Sequence, residues 1–237
     1  MNEDVYIRQA KNYKNHWWFK SRVLILDSLL KNLKLKKKIQ ILDYGSGVGS
    51  NIQMLKKYGD VDSLEPHLST ALFLKKKFKI KLIKKIKKKY DLVFLTDVIE
   101  HIKNDKKKIS EIINCLTKGG YLVLTTPAFQ FLFSKKDESL HHYRRYNVFN
   151  LKELFNKKKI KIIKLSYFNF ILFFPIAISI LLFKILKINF INTVEKTPNF
   201  LINYLMLKIF SFERYLLKYI NFFFGISILM IVKKIKN

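Results

Sequence analysis

The chain has 237 residues, enough for one domain with an appendage and a sizeable core, and a formal net charge of +29. Arginine is confined to Arg8, Arg22, Arg144, Arg145 and Arg214, so part of the lysine excess reflects compositional bias; what remains is a field that favours anionic surfaces, RNA and the cytoplasmic leaflet among them. A lone cysteine, Cys115, excludes a disulfide framework and a cysteine metal cluster and fits a reducing compartment, and the acidic start Met1-Asn2-Glu3-Asp4 lacks the apolar region of a signal peptide.

The first readable element is His16-Trp17-Trp18-Phe19-Lys20-Ser21-Arg22, leading into the amphipathic run Val23 to Leu30. Paired tryptophans either anchor an N-terminal helix to a sheet or form a lid whose aromatic and cationic groups close over a ligand. A buried strand over 39–44 then runs into Gly45, Gly47 and Gly49, and a helical pattern over 49–58 follows. Strand, glycine turn and helix in that order make the nucleotide crevice of a doubly wound sheet, where the backbone must come close to a ligand. A second strand over 60–65 ends at Glu65, twenty residues past Gly45, the distance at which an acid reaches ribose hydroxyls. Pyrophosphate loops usually read GxGxxG; this one reads GxGxG behind an acid, Asp43. An acid there suits a cation, and S-adenosylmethionine (SAM) carries an ammonium and a sulfonium but no phosphate.

Strand and helix continue to alternate, with a helix over 67–77, strands over 79–83, 90–96 and 120–126, and a helix over 105–117 that Gly119-Gly120 closes as cap and turn. Asp97, Glu100 and His101 follow the fourth strand, at the end that faces the crevice. His101 has the side chain whose ordinary pKa suits proton removal near neutrality, with a loop-orienting role as the alternative. Beyond the fifth strand, Asp137 to Tyr146 concentrates His141, His142, Tyr143, Arg144 and Arg145 in a chain that otherwise chooses lysine. Adjacent arginines point to a planar, bidentate donor for a carboxylate or phosphate, or to a salt bridge with Asp137 or Glu138. A sixth strand is expected over 160–167, apolar helices over 171–186 and 200–219, and a closing strand over 224–234. The organisation is a lid or helix over 1–38, a Rossmann-like core over 39–167, an apolar helical insertion over 168–219 and a closing segment over 220–237. Its lysine-flanked helices suit a membrane interface better than a span, with sheet-covering helices or a dimer contact as alternatives.

The loop Asp43-Tyr44-Gly45-Ser46-Gly47-Val48-Gly49 with Glu65 resembles the first motifs of the class I SAM-dependent methyltransferases. DVIEHI and Lys118-Gly119-Gly120-Tyr121 are similar to that family's later segments, HWWFxxR to the N-terminus of a subset, and the stretch from Pro127 to Tyr146 to an acceptor-side segment of members acting on small or lipid-linked substrates. The resemblance covers about 16–164 and 224–234. It implies a seven-stranded, mostly parallel Rossmann-like α/β sheet, SAM as cofactor held by Asp43, Gly45, Gly47, Gly49, Glu65 and Asp97, and catalytic roles for His101, His142, Tyr143 and Arg145. The acid that commonly contacts adenine after the third strand is missing, its place taken by Lys84 to Lys89. A Glu-His pair holds a divalent ion in some similar quinone O-methyltransferases, but two ligands do not make a site, and no metal is assigned. The expected activity is methyl transfer to a small or lipid-linked acceptor (quinone, isoprenoid or saccharide-lipid) by a cytoplasmic protein at the inner face of the membrane. The rivals are an RNA methyltransferase, a non-catalytic SAM-fold membrane-associated factor and, last, an NAD-dependent oxidoreductase suggested by the spacing of Tyr204 and Lys208.

Overall fold

Strands β1 (Ile39–Tyr44) and β4 (Tyr90–Thr96) are buried on both faces, with Ile41, Leu42, Leu92, Val93, Phe94 and Leu95 fully inaccessible to solvent. Continuous apolar strands of this kind belong to a parallel sheet covered by helices on both sides. In the computed structural model, which describes residues 10–156, 158–186 and 197–236, they form the middle of a seven-stranded sheet ordered β3-β2-β1-β4-β5-β7-β6. The other strands are β2 (Gly59–Leu64), β3 (Lys81–Leu82), β5 (Leu116–Pro127), β6 (Ile160–Phe168) and β7 (Ser227–Lys234). Only β7 runs against its neighbours, entering between β5 and β6 with Tyr121 opposite Lys233 and Pro127 opposite Ser227. The chain leaves β1 toward β2 and returns to β4 on the other side, so the loops after β1 and β4 part and open a crevice at their carboxyl ends.

Helices among the described residues include α1 (Trp17–Leu30), α2 (Ile52–Leu55), α3 (Leu68–Phe78), α4 (Asp105–Cys115), α5 (Lys135–Ser139), α6 (Val148–Glu153), α7 (Phe173–Ile185) and α8 (Phe200–Leu216). His16 caps α1, its Nδ1 accepting the Trp18 N–H at 3.1 Å, and Asn104 caps α4 through the Lys107 N–H. Three expectations need correction. The helix after the glycine loop is only four residues long, and the third strand only two. Gly119 and Gly120 do not cap a helix: α4 ends at Cys115, β5 starts at once, and Thr117 to Gly120 bulge out opposite Asp91 between the Tyr90–Leu116 and Leu92–Tyr121 pairs. A Cβ on Gly120 would stand 3.0 Å from the Thr117 carbonyl oxygen and 3.1 Å from that of Asp91, which is why this bulge takes glycine.

The apolar segments after β6 are built into the fold through α1. Asn203 accepts the Trp17 N–H and donates to the Asn15 carbonyl, both at 2.9 Å, while Ser21 and Ser28 donate to the carbonyls of Leu207 and Arg214. Phe210, fully buried, packs on Trp17 and Trp18. Glu213 explains itself: its buried carboxylate accepts the N–H groups of Asn169, Phe170 and Ile171 at 2.7 to 3.1 Å, fixing the turn into α7. Burial pushes its pKa up to about 7 against those three hydrogen bonds. The outer faces of α7 and α8 remain exposed, Phe174, Ile178, Leu182 and Phe200 among them. No described helix is long and apolar enough to cross a membrane. The N-terminal residues read for a signal peptide and the middle of the expected insertion, 187–196, lie outside the described residues.

Candidate active site

A cavity of about 960 Å³ opens where the β1 and β4 loops part, large among small-molecule sites. The glycine loop forms its floor, and the three glycines have separate reasons to be there. All have positive φ, +71° at Gly45, +51° at Gly47 and +78° at Gly49, where a side chain is strained. Gly45 passes under the β4 loop, so that a Cβ would lie 2.5 Å from Val98 Cγ2. A Cβ on Gly49 would enter the packing of Phe78, Leu74 and Ile52. On Gly47 it would meet nothing within 4 Å, since that residue faces the open cavity. Gly47 donates its N–H to Glu65 Oε2 at 2.8 Å, and His67 donates to Oε1 at 3.0 Å, so the acid ending β2 is set at the edge of the loop.

Asp43 lies beneath the loop, 1 % exposed, and is not on the cavity wall. Its Oδ2 makes no hydrogen bond, and burial, with the nearby Glu65 charge, pushes its pKa up to about 7. Asp43 and Gly49 therefore shape the loop from behind and do not line the cavity. Gly45, Gly47, Glu65 and Asp97 do line the cavity.

Asp97 is held in left-handed backbone, φ +54°, by its N–H to the Thr125 carbonyl and by an ion pair with Arg22 at 2.6 Å. Thr125 Oγ1 donates to Asp97 Oδ1, and Arg22 Nη2 donates to Thr125 Oγ1. The arginine of the N-terminal segment thus reaches across the sheet end, while His16, Trp17 and Trp18 line the cavity beside it. The same helix packs on the core and lines the cavity.

Glu100, His101 and His142 converge deeper in the wall, one polar atom of each lying within 4.8 Å of the others. Glu100 is fully buried, with Oε1 unpartnered and Oε2 accepting from Thr126; burial, then the Asp97 charge, raises its pKa well above the carboxylate range. Burial and the neighbouring His142 lower His101 to about 4, so its ring is neutral at pH 7. His142 Nδ1 lies 2.9 Å from Asp137 Oδ1, and Arg145 grips the same carboxylate with Nε at 2.9 Å and Nη2 at 2.8 Å. Burial works to raise the Asp137 pKa, but these partners outweigh it and hold the group ionised, well below the usual range.

Tyr143 is half exposed and stands off the cavity wall, its N–H donating to the Glu100 carbonyl and Arg144 lying near its ring, so the structure does not bring it to the other expected catalytic residues. Arg145 reaches the wall, but its guanidinium is occupied by Asp137, and Arg144 pairs with Asp105 at 2.6 Å. Arg22 and Asp137 are the residues that sequence reasoning underused. Arg22 shows no partner along the sequence, and Asp137 is legible there only as one half of a salt bridge. None of Lys84 to Lys89 lines the cavity.

A family model described as a methyltransferase domain matches residues 17–163, more than half of the chain. The ubiquinone biosynthesis O-methyltransferase of Pelagibacter ubique is 26 % identical over 120 residues, covering 43 % of this chain and 50 % of that protein, so the match spans half the length of the relative. Among solved structures, coclaurine N-methyltransferase bound to N-methylheliamine and S-adenosylhomocysteine (SAH) is similar with a TM-score of 0.58 and 15 % identity, over 88 % of this chain and 71 % of that one. The plantazolicin methyltransferase BpumL in complex with SAH has a TM-score of 0.58 and 12 % identity, over 98 % and 89 %. On the family match, with a sheet order and glycine crevice to suit it, the chain belongs to the methyltransferase-domain family as a class I, SAM-dependent member.

Proposed function

We propose that the protein transfers the methyl group of SAM to an apolar, lipid-linked acceptor of the quinone, isoprenoid or saccharide-lipid type at the inner face of a membrane. One observation carries the acceptor class. The cavity that holds Gly47, Glu65 and Asp97 is continued by Pro175, Ile176, Ile180 and Phe183 of α7 and Met206 of α8, so one chamber has a polar, acidic end and an apolar end. The polar end fits SAM: a Cβ at Gly47 would occupy the space the cofactor needs, and the acids there suit a cation. Glu65 would hold the ribose, Gly45 and Gly47 would admit the nucleoside by backbone approach, and Asp97, clamped by Arg22, would face its positive end. When bound, SAM supplies an electrophilic methyl on a sulfonium. The chain's part is to align the acceptor with that methyl, exclude water with the α1 and α7 walls, and take a proton where the acceptor carries one, at His101 or His142.

The exposed apolar faces of α7 and α8 and the net charge of +29 support work at an anionic lipid surface. The test is incubation of the protein and methyl-labelled SAM with a bacterial lipid extract and, separately, with total RNA. Label entering the organic phase is expected. Label in the RNA alone, or in neither pool while SAM is bound, would overturn the acceptor assignment.

A further inference from the structure

We propose that Asp137 is a positioning residue that fixes His142 in one tautomer, and that Nε2 of His142, rather than His101, takes the acceptor's proton. Asp137 sits in the first turn of α5 with its side chain 2 % exposed, and Ser134 and Arg145 both donate to it. Oδ2 accepts from the Ser134 N–H, the Ser134 hydroxyl and Arg145 Nη2; Oδ1 accepts from Arg145 Nε and faces His142 Nδ1 at 2.9 Å. An ionised carboxylate only accepts, so Nδ1 must carry the hydrogen, and in the neutral ring the lone pair is left on Nε2. A salt bridge that merely closed the loop would be complete with Arg145. Here the carboxylate reaches further, to an imidazole whose side chain is 7 % exposed and which lies on the cavity wall.

His101 is placed for a different role. Its ring meets His142 edge to face with centroids 4.5 Å apart, and it donates toward the His141 backbone. It buttresses the base and keeps water from it. For an oxygen acceptor the step balances as follows: the oxygen–methyl bond forms, the sulfur–methyl bond breaks and the sulfonium becomes a thioether, and the hydroxyl proton passes to Nε2. The Asp137 charge stabilises the imidazolium that results. This inference rests on the methyltransferase reading.

The chain has five histidines, His16, His67, His101, His141 and His142, few enough to separate by nitrogen NMR of protein labelled with ¹⁵N-histidine, treated with EDTA and saturated with SAH. In the neutral ring of wild-type His142, Nδ1 is expected to be protonated and Nε2 unprotonated. Asp137→Asn should reverse them. Three donors meet at Oδ2, so the amide oxygen settles there and its NH₂ turns to Nδ1. A neutral wild-type His142 ring protonated at Nε2, or an unchanged pattern in a folded Asp137→Asn, would overturn the proposal. If that variant does not fold, the wild-type spectrum still decides. On the turned-over acceptor, His142→Ala should lower kcat by about 10²- to 10⁴-fold, the usual worth of a general base, leave SAH affinity within twofold and recover in part with added imidazole. Equal losses on mutating His101 with no imidazole rescue of His142→Ala would also overturn it. Absence of SAH binding would instead strike the methyltransferase reading, leaving the tautomer result to stand by itself.

Discussion

Gly47 and Gly49 are two residues apart in one loop, yet alanine at each should fail in a different way. At Gly49 the new Cβ would lie 2.5 Å from Phe78 Cε2, 2.7 Å from Leu74 Cδ2 and 2.9 Å from Ile52 Cδ1, all in buried side chains that cannot swing away. Overpacking of this kind costs about 1–3 kcal/mol, and the φ of +78° adds about 1–2 kcal/mol for a side chain in left-handed backbone. The loss of about 2–5 kcal/mol is a large part of a typical domain's 5–15 kcal/mol, worth roughly 4–20 °C in Tm for a chain of this size. At Gly47 only the backbone strain remains, because the Cβ meets no atom within 4 Å. That methyl instead projects where the nucleoside binds, beside the Gly47–Glu65 hydrogen bond. Gly47→Ala should unfold within about 2 kcal/mol of wild type but bind SAH about tenfold or more weakly, the effect of one misplaced methyl in a fitted pocket. Urea unfolding and calorimetric SAH titration of both variants check this. Wild-type SAH affinity in Gly47→Ala, or wild-type stability in Gly49→Ala, would refute the separate roles.

Arg22→Ala should lower stability by about 2–3 kcal/mol and weaken SAH binding, because it strips Asp97 of its cation while solvent reaches that partly buried carboxylate only in part; thermal denaturation and calorimetry read the two effects. Asp43 sets a pH dependence in the cofactor-free protein. Its folded pKa is raised, to about 7 from 3.8, so its contribution to stability is complete below about pH 4 and is lost as pH rises through 7. Asp43→Asn removes that slope, and its stability relative to wild type should rise by up to about 4 kcal/mol between pH 4 and 8; parallel curves would contradict this. Tyr143→Phe should leave turnover and SAH affinity within twofold, measured on whichever acceptor takes label. Replacing Phe174, Ile178 and Leu182 with serine should reduce co-sedimentation with anionic vesicles several-fold without changing SAH affinity, since all three side chains are exposed.

The alternation of strands and helices and the crevice could be read from the chain because their signals are local. A buried run ending in Asp43, glycines at alternate positions and Glu65 after the next run depend on spacing along the sequence alone. The errors arose where a local signal met a tertiary constraint. Gly119-Gly120 has the form of a turn, but the backbone is folded against Asp91, and the glycines serve a bulge inside β5. Gly49 has the form of a ligand glycine, yet its left-handed backbone and the packing of α2 and α3 behind the loop require it. Arg22 and Asp97 lie far apart in sequence, and nothing short of the folded sheet end brings them together. Glu213 reads as a stray charge in an apolar helix because its partners are backbone N–H groups, which no residue type announces. Tyr143 shared the chemistry of its neighbours but not their direction. Asp137 and His142 are five residues apart, a spacing visible in the sequence; that the Asp137 carboxylate holds both His142 and the Arg145 guanidinium becomes clear only once α5 sets the acid against the imidazole.

The most direct measurement is calorimetric titration of the purified protein with SAM and with NADH, beside Gly47→Arg, whose side chain would fill the cavity at its open glycine. SAM binding by wild type that is abolished in the folded variant, with no heat from NADH, is the result expected of a class I methyltransferase crevice. Folded wild type that binds NADH, or neither nucleotide, would contradict it.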